Sequence, residues 1–175
     1  MEKNIIIPTS DIYTSFMADH LGLNELADLD HLTKLKKVSV ISSRLKTLPK
    51  FPDGLEYLDI TSNPLTKLDL PPNIKELHMY DTFDEIPELP ITLKTLSIGS
   101  FEKMTPLNYL TNLEILYITE AKTKILELPP NLKQLRIDYT EFKYLPDNIN
   151  DNCCIIFNYH AEGCQEDCSI DDDYW

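Results

Sequence analysis

An apolar triplet with the spacing i, i+3, i+5 recurs six times along the chain, and this period constrains the fold more than any other feature. The triplets are Leu35, Val38, Val40; Leu55, Leu58, Ile60; Ile74, Leu77, Met79; Leu93, Leu96, Ile98; Leu113, Leu116, Ile118; and Leu132, Leu135, Ile137. Their first members lie 20, 19, 19, 20 and 19 residues apart. A unit this short cannot bury its apolar edge alone, so units with such a period stack into a solenoid. The i+3, i+5 alternation is that of a strand with one buried face. Each coil then has about five residues for a strand and spends most of the rest on two turns, with neighbouring strands parallel and about 4.8 Å apart.

Behind the triplets a second apolar pair tends to follow at five and eight positions, as in Leu45 and Leu48, Leu65 and Leu68, or Phe142 and Leu145. The coil then closes on proline. Pro49, Pro52, Pro71, Pro72, Pro87, Pro90, Pro129, Pro130 and Pro146 all lie at these junctions. Proline fixes φ and lacks a donor, so it suits an extended return segment and breaks a helix. A convex side of extended and turn segments is therefore expected.

The blocks LPPNIKELHM, LPITLKTLSI, TNLEILYI and LPPNLKQLRI resemble leucine-rich repeats of the shortest kind. They are similar to those of bacterial type III effectors and to the FNIP-like repeats of large DNA viruses and slime moulds. The resemblance spans about residues 24 to 150 and implies an α/β repeat solenoid with a parallel concave β-sheet. The asparagine that usually follows the strand stands here only at Asn63. Ser43, Thr82, Phe101, Ala121 and Thr140 take its place elsewhere. An unbroken asparagine ladder is not expected, and hydroxyls, backbone or water must serve the turns. Effectors with similar repeats gain ubiquitin-ligase activity from a separate domain, and such a domain is not expected in the short stretch after the last repeat.

Four segments follow: residues 1–31 as an N-terminal cap, 32–150 as a solenoid of about six coils, 151–168 as a cysteine-rich C-terminal cap, and 169–175 as an acidic tail. In the first, Ser10 and Asp11 offer an N-cap to a helix carrying Ile12, Tyr13, Phe16, Met17 and His20, with Gly22 as its stop. A helical N-terminal cap is the expectation. The stretch CCIIFNYHAEGCQEDC collects every cysteine of the chain, and three readings of it stand side by side. Cys153 and Cys154 can be ordinary thiols of a last strand. Cys153, Cys154, Cys164 and Cys168 can pair as disulfides, as in the stapled caps of extracellular relatives, although the N-terminus does not read as a signal peptide. Or Cys154, His160, Cys164 and Cys168 can hold a structural zinc ion, without the usual C-x2-C spacing.

The chain has 175 residues with 29 acids against 16 bases, a formal charge of −13. That balance argues against nucleic acid and anionic membranes as partners, and no apolar run approaches the ~20 residues of a membrane span. A cytoplasmic protein, of the producing or a host cell, is expected. The glycines are isolated, so neither a P-loop nor a dinucleotide fingerprint is present, and no GxSxG or HExxH occurs. A non-enzymatic adaptor without cofactor is the first expectation. A structural subunit of a virion or other large assembly is the second, and an enzyme working through the Cys/His cap the third. For an adaptor the partner surface is the concave face, formed by the residues that alternate with the buried leucines. Candidate contact residues there are Tyr57, Asp59, Glu76, His78, Tyr80, Ile115, Tyr117, Gln134, Arg136 and Asp138; tyrosine and arginine are enriched at binding hot spots.

Overall fold

The computed structural model describes residues 5–80, 83, 86–99, 105–119, 127–138 and 147–158. Its core is one sheet of eight strands in chain order. These are β1 (Ser15–Met17), β2 (Lys37–Ser39), β3 (Tyr57–Asp59), β4 (Glu76–Met79), β5 (Thr95–Gly99), β6 (Ile115–Thr119), β7 (Gln134–Asp138) and β8 (Cys154–Asn158). Every pairing is parallel, and the register places each triplet on the next: Val38 beside Leu58, Leu58 beside Leu77, and so on to Leu135 beside Ile155. The six triplets are therefore β2 to β7, and all of their residues are buried. Burying one such side chain is worth about 1.5–3 kcal/mol. The cover comes from the coils on either side.

A short turn aims the chain into most of these strands. The N–H of the first triplet residue donates to the carbonyl three positions earlier, as for Leu35 to Leu32, Leu55 to Pro52, Leu93 to Pro90 and Leu113 to Leu110. Proline serves as the first residue of such a turn, because only its carbonyl is used. Leu45, Leu65, Ile86, Leu89, Leu107, Leu110 and Leu128 fill the interior behind the sheet. The return segments are extended or turned, and among the described residues there is no helix.

The expected N-terminal helix is thereby corrected. Its residues build a first, degenerate coil, in which β1 pairs Phe16 with Val38. A helix satisfies its own backbone and would leave the outer edge of β2 unpaired. Here Thr14 O accepts from Lys36 and Lys37 N–H, and Ala18 N–H donates to Ser39 O. Asp11 caps no helix either. Its carboxylate accepts from the Thr33 hydroxyl at 2.7 Å and the Lys34 N–H at 3.0 Å, tying this coil to the next. Gly22 has φ +65°, and His20, Ser42 and Ser62 share the left-handed region at matching positions after β1, β2 and β3. At the other end β8 pairs with β7 and adds a strand beyond the six triplets.

Turn hydrogen bonding follows two schemes. Asn63, wholly buried, donates from Nδ2 to the carbonyls of Val40 (2.6 Å), Ile60 (2.9 Å) and Thr61 (3.2 Å), while its Oδ1 accepts from Leu45 N–H. Elsewhere the ladder lies before the strand: Asn73, Thr92, Asn112 and Asn131 each donate to a carbonyl of the preceding coil, those of Asp53, Pro72, Ile91 and Thr111. Asn63→Ala leaves Val40 O and Leu45 N–H buried without these partners and is expected to cost about 2–4 kcal/mol. The exposed Asn112→Ala is expected to cost under about 1 kcal/mol; urea unfolding of both variants provides the comparison.

Candidate binding surface on the concave sheet

Side chains that alternate with the buried triplets lie on the other face in three rows. Ser15, Lys37, Tyr57, Glu76, Thr95, Ile115, Gln134 and Cys154 form the first row, and Met17, Ser39, Asp59, His78, Ser97, Tyr117, Arg136 and Ile156 the second. Gly99, Thr119 and Asp138 continue the third, with Tyr80 one residue beyond β4. All ten candidate contact residues stand on this face and are half-buried. None belongs to the core.

The register gathers several of them into two groups. In the first, the rings of Tyr57 and His78 are 5.4 Å apart and tilted by 44°. His78 Nε2 donates to Glu76 Oε1 at 3.0 Å, and the Lys37 ammonium stands 4.6 Å from the centre of the Tyr57 ring. Asp59 accepts from Thr61 N–H at 3.0 Å. In the second, Arg136 Nε donates to both oxygens of Asp138, at 3.3 and 3.1 Å, next to Tyr117 in the sheet. Ile115 and Gln134 stand opposite each other beside this pair.

Tyr80 belongs to neither group as an upright anchor. Between the two groups β5 offers only Thr95, Ser97 and Gly99, and a Cβ on Gly99 would lie 2.9 Å from Tyr80 Cδ1 and against the Thr119 hydroxyl. The absent side chain is what lets the Tyr80 ring settle over β5. Burial pushes its phenol up, Ser97 pulls it the other way, and the Asp138 carboxylate raises it further. Gly99→Ala is expected to lift that ring and to cost about 1–3 kcal/mol, read as a lowered melting temperature.

Asp19 is a member of the site that the sequence did not single out. Its Oδ1 accepts from the Ser39 hydroxyl at 2.7 Å and Ile41 N–H at 2.9 Å. It reaches this face only because its segment forms a coil beside β2 and not the expected helix. Burial, then the carboxylates of Asp59, Glu76 and Asp19, push the Tyr57 phenol up to about 12. Since its folded pKa exceeds the unfolded value near 10, Tyr57 contributes stability below pH 10, and this is lost as pH rises through 12. Stability is expected to fall between about pH 10 and pH 12, with a shallower fall in Tyr57→Phe; denaturant titrations across that range measure it.

The cysteine readings meet the structure only in part. Cys153 and Cys154 are half-buried, the first just before β8 and the second opening it, and burial pushes the Cys153 thiol up. His160, Cys164 and Cys168 lie outside the described residues, as does the acidic tail. Among the described residues no group of His, Cys, Asp or Glu is placed to hold a metal ion, and no helix is long and apolar enough to cross a membrane.

Coils of this length, stacked through one parallel sheet, place the molecule in the class of leucine-rich-repeat-like solenoids. Residues 62–101, which carry β4 and β5, match the family model of the FNIP Repeat. Among solved structures the chain is similar to YopM from Yersinia enterocolitica WA-314, at 25% identity and a TM-score of 0.39, over 78% of this chain and 40% of that one. The chain thus spans about two fifths of that protein's length. No curated protein matches it.

Proposed function

We propose that the chain is a non-enzymatic protein-binding module that engages its partner through the concave sheet. The observation that carries this reading is the register, which brings Tyr57, His78, Tyr117 and Arg136 from four coils onto one half-exposed face. Aromatic and arginine side chains that are already half-buried lose little freedom on binding, so they suit anchors. The partner is a protein, because the charge of −13 disfavours polyanions.

Tyr117→Ala and Arg136→Ala are each expected to weaken a captured partner about tenfold or more, with an unchanged circular dichroism spectrum. Tyr80 is a poor choice for this test because its ring is part of the sheet's packing. Unaltered affinity in both variants sinks the concave-face reading.

An assembly subunit is the second reading, and one observation favours it. Phe157 on the end strand β8 is 45% exposed, although Ile137 beside it in the sheet is buried. A subunit should sediment in a stoichiometric particle, whereas a module should be recovered free.

A further inference from the structure

We propose that the surface around Tyr57 is a seat for a cationic side chain of the partner, an arginine or lysine on an extended basic segment that crosses β2, β3 and β4. This rests on the concave-face reading and names the chemistry of what binds there. Most charges near the sheet are paired within the molecule. Glu56 holds Lys36 at 3.1 Å and Lys75 at 2.7 Å, Glu114 holds Lys133, and Asp138 holds Arg136. The Tyr57 surface differs. Asp19, Asp59 and Glu76 surround it with three carboxylates, and Lys37 is the one cation on this part of the face among the described residues.

Lys37 itself marks what the seat accepts. Its ammonium stands over the Tyr57 ring and makes neither a hydrogen bond nor an ion pair among the described residues. A cation over an aromatic face is attracted by the ring's quadrupole, and flanking carboxylates add to that attraction. Lys37 is on a flexible stem, so an incoming cation can displace it at small cost. A guanidinium suits the seat better than an ammonium, since its plane can stack on Tyr57 or His78 while its edge pairs with Asp59. Among the described residues the Asp59 carboxylate has only the Thr61 N–H as partner, at Oδ1, which leaves Oδ2 open to a cation. From β2 to β4 is about 10 Å, the span of roughly three extended residues. A short basic segment is therefore long enough.

The probe is a fluorescein-labelled octa-arginine peptide, followed by anisotropy at low salt, with octa-glutamate as control. Lys37→Ala and Lys67→Ala each remove one positive charge, but Lys67 pairs with Asp69 in the return segment after β3. Lys37→Ala is expected to tighten binding about threefold or more, and Lys67→Ala to change it by less than about twofold. Tyr57→Leu should weaken binding about threefold or more at constant charge, while Tyr57→Phe, which keeps the ring, should retain it. Amide shifts should concentrate at Tyr57, Asp59, Glu76 and His78. Equal effects of the two lysine variants, or unaltered binding in a folded Tyr57→Leu protein, overturn the proposal. The Tyr117 and Arg136 variants lie outside this seat, so the concave-face reading can stand when the seat falls.

Discussion

Each coil hides its leucines only against the coils beside it, and the parallel register is what makes that cover continuous. Leu58 is buried because Val38 and Leu77 flank it in the sheet. A slip of one residue would turn the leucines to the concave face and the tyrosines inward. The same constraint that builds the core therefore also builds the surface. Rows of side chains from distant parts of the chain become neighbours about 4.8 Å apart, and interactions that look remote in sequence become local.

Polar ladders hold that register at the turns. Asn63 spans two coils from within, and Asn73, Thr92, Asn112 and Asn131 do so from the turn before the strand. Carboxylate and lysine pairs repeat the theme on the rim, with Glu56 between Lys36 and Lys75. These exposed pairs contribute little each, but they draw the rim charges into pairs. On the concave face, by contrast, Asp19 and Asp59 near Tyr57 hold no cation among the described residues.

The six triplets were legible because leucine spacing reports directly on burial, and they became β2 to β7 without a shift of register. The face of Tyr57, His78, Tyr117 and Arg136 was legible for the same reason, since alternation decides which side a strand residue takes. The N-terminal segment misled because Tyr13 and Phe16 are three apart, a spacing common to a helix and to the first two members of a triplet. Only the open edge of β2, a property of the assembled sheet, distinguishes the two. That error also hid Asp19. The resting place of Tyr80 depended on the missing side chain of Gly99 one coil away, and the seat of Lys37 on a side-chain conformation. No pattern along the chain encodes either. The Asn/Thr ladder stands in the sequence as the residue before the last four triplets, whereas Lys34 and Gly54 precede the first two.

Hydroxyl-radical footprinting of the protein with and without its captured partner tests the central claim most directly, because it reads the two faces in one experiment. Protection of Tyr57, His78 and Tyr117 is predicted, with oxidation of Ile91, which is 58% exposed at a turn, unchanged. Protection of Ile91 or of Phe157, while the three concave side chains stay as reactive as in the free protein, would contradict it.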